Sequence, residues 1–330
     1  MTIKDKSLKQ FNTFGFDAKC SLYSAPETVE KIKEVLRAHK GISLFVLGGG
    51  SNILFSKDFD GLILKPNIKS IEIEKENSEY VWVRVGAGMV WDEFVNYAVD
   101  NNLGGIENLS AIPGNVGAAP VQNVGAYGME AKDTITTVEG IYIDNLASFK
   151  LSNSECKFGY RNSVFKNELK QKIVVTHVVF KLSKIHTFVL DYGNIKDELG
   201  KEINLNTIRK TIINIRTNKL PDPKILGNAG SFYKNPVIAK EQADKLIAQY
   251  PQMPFYPLNS EVKIPAGWLI EQCGLKGFRI GNVGIHEKQA LVLVNYGEGT
   301  AKELINLSNL VREKVFSQFE ITIEPEVIVV

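Results

Sequence analysis

The sequence predicts an α+β protein built from two or three domains, and three features carry that prediction. The hydrophobic period switches repeatedly between about 3.6 and about 2 residues, so helices and half-buried strands share the chain. Its 330 residues exceed the size at which one hydrophobic core usually keeps growing. Two prolines in three residues, Pro221 and Pro223, follow a helical pattern and set a boundary at Leu220. A composition of 44% hydrophobic and 23% charged residues suits a sizeable core and leaves no long stretch to disorder.

The first third alternates α and β. Pro26 opens residues 27–40, where Val29, Ile32, Val35 and Leu36 share one helical face. The short apolar run 42–47, closed by three glycines, reads as a buried strand, and residues 61–64 as another. Beyond Pro66, Val81, Val83 and Val85 alternate with Trp82 and Arg84, as a strand with one buried face requires. Trp91, Phe94, Val95 and Ala98 return to the helical period. Strands are expected at 136–143 and 173–182, and a helix at 205–216. Asn235-Pro236 reads as a helix start, with asparagine as N-cap and proline in the first turn. A strand at 289–294 precedes a helix at 300–316 that carries Leu304, Leu307, Val311 and Val315 on one side. Residues 321–330 read as a last strand, with Ile321, Ile323, Val327 and Val329 on one face and Glu324 and Glu326 on the other.

Charge and cysteine usage exclude several functional classes. With 39 basic and 37 acidic residues the net charge is +2, too balanced for a dedicated nucleic-acid binder. Cys20, Cys156 and Cys273 are far apart and in no metal-ligand spacing, which points to reduced thiols and no metal site. The start MTIKDKSLKQ lacks the apolar centre of a signal peptide, and no apolar run reaches the roughly 20 residues of a membrane span. A cytoplasmic protein is expected.

Two glycine-rich segments stand apart. The first is Gly48, Gly49, Gly50, Ser51 and Asn52, directly after a strand; the second is the run IPGNVGAAPVQNVGAYG at 112–128. Residues without large side chains let backbone N–H groups approach a phosphate closely. Neither segment is a Walker A loop, and the spacing G-x-G-x-x-G fails at Gly48 and at Gly86. Glycines alone also mark ordinary tight turns, but so long a run with little charge suits a loop wrapped around a buried ligand. Two such loops gripping one pyrophosphate form a coherent picture, without choosing which diphosphate.

These segments belong to an ordered set of motifs. It begins with NTFG at 12–15, takes in both glycine loops, and continues through CKFGYRNS at 156–163 and GNAGSFYKNP at 227–236. AGWLI at 266–270 and EPEV at 324–327 complete it. Over nearly the whole chain the sequence resembles the UDP-N-acetylenolpyruvoylglucosamine reductases of bacterial peptidoglycan precursor synthesis. The resemblance implies a two-subdomain FAD-binding fold of the vanillyl-alcohol-oxidase type followed by a C-terminal α+β substrate-binding domain. On this chain those parts fall at 1–66, 67–218 and 219–320, with residues 321–330 available to return to the first.

The resemblance also assigns the ligands. FAD falls to Gly48, Gly49, Gly50, Ser51 and Asn52 of the first loop. In the second loop it falls to Ile112, Pro113, Gly114, Asn115, Gly117, Ala118 and Ala119, then to Gln122, Asn123, Gly125, Ala126 and Tyr127. The first loop holds no histidine, the nearest preceding one being His39, so the flavin is expected to bind without a covalent tether. The expected substrate is UDP-N-acetylglucosamine enolpyruvate, reduced at C3 with electrons from NADPH and protonated at C2. No nucleic acid or membrane partner is implied, and the enzyme is expected to act as a monomer.

That reaction leaves negative charge at C2, spread into the neighbouring carboxylate. Cofactors carry the hydride chemistry, while the protein supplies position and electrostatics. The resemblance nominates Ser231 as the proton donor at C2 and Arg161 as a clamp for the carboxylate, its planar fork pairing both oxygens. Glu326 is the third member of that set, chosen over Glu324 by the family motif and held neutral or paired beside the developing charge. Tyr160 is expected to shape the pocket, and Tyr192 in the segment DYGN to pack over the substrate. Lys219, Asn235, Tyr256 and Gln289 match positions that contact the sugar nucleotide or the nicotinamide. The rival readings are another FAD oxidoreductase of the same fold and a non-catalytic flavin or sugar-nucleotide binder. The first has no need of Ser231 and Glu326, and the second no need of the full Arg, Ser and Glu set.

Overall fold

Residues 2–330 are described here by a computed structural model. The chain divides into two compact units, one of residues 2–6, 20–50 and 59–216, the other of 7–19, 51–58 and 217–330.

In the first unit a four-stranded sheet runs in the order Thr2–Ser7, Lys19–Ser24, Phe59–Leu64, Leu44–Val46. Phe59–Leu64 is parallel to both its neighbours, a pairing that needs a crossover rather than a hairpin. Helix Val29–Ala38 supplies part of the crossover, capped by the Thr28 hydroxyl, which accepts from Lys31 N at 3.2 Å. Its buried Ile32 and Leu36 pack with Leu64, Ile68, Ile141 and Val174.

The other sheet of this unit is antiparallel, in the order Ser148–Ser152, Ile135–Tyr142, Ile173–Ser183, Tyr80–Gly86, Ile71–Glu76. The alternation read at 81–85 is realised: Val81, Val83 and Val85 are buried. Helix Trp91–Asp100 covers that face, with the Phe94 and Phe180 rings 4.8 Å apart and Trp91 Nε1 donating to Leu109 O at 2.9 Å. The second glycine loop rests on the end of Tyr80–Gly86, where Gly117 N donates to Ala87 O at 3.0 Å.

The second unit has an antiparallel sheet in the order Gly227–Ser231, Val292–Asn295, Val283–Ile285, Arg279–Ile280. Helix Ala301–Phe319 lays Leu304, Leu307, Val311 and Val315 into the core. Its start is a capping box: Thr300 Oγ1 accepts from Glu303 N at 3.2 Å, and Glu303 Oε2 accepts from Thr300 N at 2.7 Å. Phe14, Phe16 and Leu54, far away in sequence, complete the same core.

Two expectations are corrected. Asn235-Pro236 does not open a helix; it leads into strand Val237–Ala239, and helix Lys240–Gln249 follows. The strand pairs with Glu261–Lys263, and this ladder outweighs the local N-cap signal. Of residues 321–330 only Ile328–Val329 is paired, parallel to Ile53–Leu54. Ile321, Ile323 and Val327 are buried as the parity requires, whereas Val329 is 51% exposed. Among the described residues no helix is long and apolar enough to cross a membrane.

Candidate active site

The two glycine loops meet in the first unit. A Cβ on Gly49 would stand 2.6 Å from Gly114 Cα and 2.9 Å from Asn115 Oδ1. One on Gly48 would come within 3.2 Å of Ala118 Cβ, and one on Gly117 within 2.5 Å of Ala87 Cβ. At Gly49 and Gly117 only glycine allows so close an approach, while at Gly48 a larger residue would push its neighbour by a few tenths of an ångström. Gly50 and Gly114 also adopt positive φ, +71° and +125°. The amides of Gly48, Gly49, Gly114 and Asn115 have no acceptor among the described residues. Donors without a protein acceptor, placed where two backbones touch, can serve an anion such as a pyrophosphate. The residues therefore fit the diphosphate part of FAD.

The second loop is built from its own backbone. Ala118 N bonds Asn115 O, Ala119 N bonds Val116 O and Val124 N bonds Ala119 O. Asn115 is pinned by its amide to Gly88 O at 2.7 Å. Buried Asn123 donates to Gly159 O and to Glu130 Oε2, tying the loop to the CKFGYRNS segment. Ser163 Oγ donates to Val121 O of the same loop.

Arg161 lies in that segment at φ +51°, and its Nη2 donates to Gly125 O at 2.9 Å. Its guanidinium is 5.5 Å from the centre of the Tyr160 ring. The structure thus brings Arg161 and Tyr160 to the outer end of the second loop. Cys156, at the base of the segment, is buried, and burial pushes its thiol up to about 12, so it is inert at neutral pH.

Tyr192 also reaches this end. It is 46% exposed, and a Cβ on Gly128 would be 3.3 Å from Tyr192 Cβ. Asn108, buried, holds the two segments together by donating to Tyr127 O at 2.8 Å and Val189 O at 2.7 Å.

In the second unit, Ser231 closes strand Gly227–Ser231 and is exposed. The NTFG segment braces the strand: Asn228 N donates to Thr13 O at 3.0 Å, and Asn295 Nδ2 to Phe14 O at 2.9 Å. A Cβ on Gly227 would stand 2.3 Å from Phe14 O. Gly230, at φ +68°, donates to Asn228 Oδ1 and turns the chain at Ser231. Past this turn the chain runs antiparallel to the EPEV segment, with Lys234 N on Glu324 O at 3.0 Å and Glu326 N on Phe232 O at 2.7 Å. Glu326 therefore lies opposite the residue that follows Ser231. Asn52 Nδ2 donates to Glu326 O at 3.2 Å, joining the end of the GGGSN motif to the same place.

Asn235 and Gln289 converge on the start of helix Ala266–Gln272. Asn235 Oδ1 accepts from Ala266 N at 3.0 Å, and a Cβ on Gly267 would be 3.3 Å from Gln289 Oε1. Asn235 is thus an N-terminal partner of a helix, though not of the one its sequence neighbours indicate. Tyr256 is exposed at the start of strand Tyr256–Leu258 with Lys263 Nζ 5.5 Å from its ring, and Lys219 is exposed at the end of helix Leu205–Lys219.

Four residues with a part in this architecture carry no signal in the sequence. Asn108 is one. Lys65 Nζ donates to Gly48 O at 2.7 Å, and burial, together with nearby Lys69, lowers its pKa. Arg209 pairs both carboxylate oxygens of Asp92, at 2.6 and 2.9 Å, and Asp92 Oδ1 accepts Ala111 N at the start of the second loop. Burial would raise the Asp92 carboxyl, but Arg209 and the Ala111 amide outweigh it and hold it below its ordinary range. Among the described residues no cluster of three His, Cys, Asp or Glu side chains could hold a metal ion.

Residues 20–144 match the family model of an FAD binding domain, and residues 222–330 that of the UDP-N-acetylenolpyruvoylglucosamine reductase C-terminal domain. The chain is 48% identical to the UDP-N-acetylenolpyruvoylglucosamine reductase of Flavobacterium johnsoniae, over 98% of each chain. It is 46% identical to that of Bacteroides fragilis, over 97% of this chain and 98% of the relative. The solved UDP-N-acetylenolpyruvylglucosamine reductase from Thermus caldophilus superposes with a TM-score of 0.71 at 25% identity, over 100% of this chain and 98% of that one. The 6-hydroxy-D-nicotine oxidase of Arthrobacter nicotinovorans shares the fold alone, with a TM-score of 0.50 at 13% identity over 98% of this chain and 86% of that one.

Proposed function

The chain belongs to the UDP-N-acetylenolpyruvoylglucosamine reductase family, and on that premise we propose that Arg161, Ser231 and Glu326 stabilise and protonate its substrate. It is an FAD-dependent oxidoreductase that reduces UDP-N-acetylglucosamine enolpyruvate with NADPH, in peptidoglycan precursor synthesis. It has the vanillyl-alcohol-oxidase type of FAD-binding fold with a C-terminal substrate-binding domain. The hydride chemistry, from NADPH to the enolpyruvyl C3, would be supplied by FAD when bound. Everything else in the reaction falls to side chains and amides of this protein.

The amides of Gly48, Gly49, Gly114 and Asn115, without an acceptor among the described residues, would hold the flavin's diphosphate. Arg161 pairs the substrate carboxylate with its planar fork as negative charge spreads into it. Ser231 gives its hydroxyl proton to C2; exposure at the end of a short strand leaves the hydroxyl open to substrate. Glu326, protonated or neutralised by Arg161, hydrogen-bonds the carboxylate on which that charge develops. Tyr192 packs over the sugar nucleotide, Tyr160 shapes the pocket, and Lys219, Asn235, Tyr256 and Gln289 bind the sugar nucleotide or the nicotinamide. The protein works in the cytoplasm as a monomer.

One observation supports this reading above the others. The antiparallel seam between residues 232–234 and 324–326 puts Glu326 one residue from Ser231, although 95 positions separate Ser231 from Glu326 in sequence (326 − 231). Replacing Ser231 by alanine tests the assignment. NADPH should still bleach the flavin at a near-normal rate, while reoxidation by the enolpyruvyl substrate falls by about 10²–10⁴-fold. Stopped-flow absorbance of the two half-reactions measures both. Equal losses in the two would make Ser231 structural.

A further inference from the structure

The first glycine loop carries a feature that its glycines do not explain. Lys65, the residue after strand Phe59–Leu64, turns its ammonium back to Gly48 O at 2.7 Å. The peptide unit is planar and trans, so the carbonyl of Gly48 and the N–H of Gly49 point in opposite directions. Whatever fixes that carbonyl also aims the Gly49 amide. Glycine itself has no preference, since it lacks the Cβ that restricts φ and ψ.

The surroundings make this contact costly to keep without a purpose. Burial and the neighbouring Lys69 both disfavour the charged ammonium. Lys65 is anchored by its own backbone, with its N–H on Ser24 O at 2.8 Å, while Leu47 N bonds Leu64 O at 2.8 Å. The lysine and the glycine loop therefore leave neighbouring parallel strands in fixed register, Val46 opposite Leu64.

We propose that Lys65 is a positioning residue for the flavin diphosphate: it holds the Gly48 carbonyl so that the Gly49 amide faces the anion, and places a positive charge behind that peptide. This rests on the assignment of the two glycine loops to FAD. The ammonium acts through the peptide rather than by touching the phosphate. It stabilises the anion by polarising the donor and by Coulomb attraction in a partly buried site.

The test uses the full chain and FAD itself. Lys65→Met keeps the length of the side chain and removes its donor and charge; Lys65→Arg restores both. FAD affinity comes from titrating deflavinated protein, and the ³¹P spectrum of bound FAD reports on the diphosphate directly. Lys65→Met should weaken FAD binding about 10–100-fold, as loss of a hydrogen bond from a charged group does, and shift the diphosphate resonances. Lys65→Arg should recover most of the affinity, and the flavin-free proteins should melt together. Unchanged affinity and phosphorus shifts in Lys65→Met would overturn the proposal. So would equal losses in both variants with a destabilised flavin-free protein. Gly49→Ala tests the underlying assignment separately: if it folds and binds FAD normally, the glycine loops are not the diphosphate site, whatever Lys65 does.

Discussion

Arg161 occupies the left-handed region at φ +51°, where residues other than glycine, asparagine and aspartate are uncommon. The bond from its guanidinium to Gly125 O and the bond from Lys166 Nζ to Arg161 O accompany that conformation. Lysine at this position would keep the charge but lose the fork. Arg161→Lys should slow reoxidation of the flavin by substrate about 10–100-fold, with NADPH bleaching unaffected. A parallel loss in both half-reactions would remove Arg161 from the substrate carboxylate. At this scale the sequence is legible where composition is unusual, as in the two glycine loops. Ser231, Glu326 and Arg161 are single polar residues without period or spacing, so only the motif resemblance singles them out. Asn235 shows the limit of a local rule, since its side chain serves Ala266, 31 positions away.

Among the elements, helix Leu205–Lys219 has the broadest role in the first unit. Through Arg209 it holds Asp92, and through Asp92 the Ala111 amide where the second glycine loop begins. Its Arg216 also acts on Tyr127 near the end of that loop, opposing the upward push that burial gives the Tyr127 phenol. Asp92→Asn should cost about 1–2 kcal/mol, less than a fully buried pair because a third of the Asp92 side chain meets water. The folded carboxyl titrates below its unfolded value, so its contribution is complete above about pH 4 and is lost as pH falls through the depressed value. Urea midpoints of wild type and variant should therefore differ at neutral pH and converge in acid; a constant gap would contradict the ion pair. The helix itself is legible from its period. Its brace on the loop is not, because Asp92 and Arg209 are 117 positions apart and nothing local couples them.

For the molecule as a whole, the second unit draws on chain from both ends of the sequence. Phe14 and Phe16 stack at 5.5 Å inside it, and Phe14 meets Phe232 edge-on at 6.3 Å. Phe14→Ala should cost about 3–5 kcal/mol, a large aromatic deletion from a filled core. Hydrogen exchange should then accelerate in helix Ala301–Phe319 while strand Ile173–Ser183 stays slow. Equal acceleration in both would mean that the two units unfold as one. The proline pair after Leu220 marks where helical chain gives way, but no local pattern announces that residues 7–19 and 51–58 join residues 217–330. Such partnerships are written only in which apolar surfaces fit.

That division has a consequence during translation. By the time Arg216 is made, the ribosome has supplied every residue of the first unit, which can begin to pack on the nascent chain. Residues 7–19 and 51–58 emerged long before, yet the surfaces that bury Phe14, Phe16 and Leu54 come from later codons. Until then these side chains stay open to water, to chaperones and to other unfinished copies. A pause in synthesis past Arg216 would prolong the time these three side chains spend uncovered.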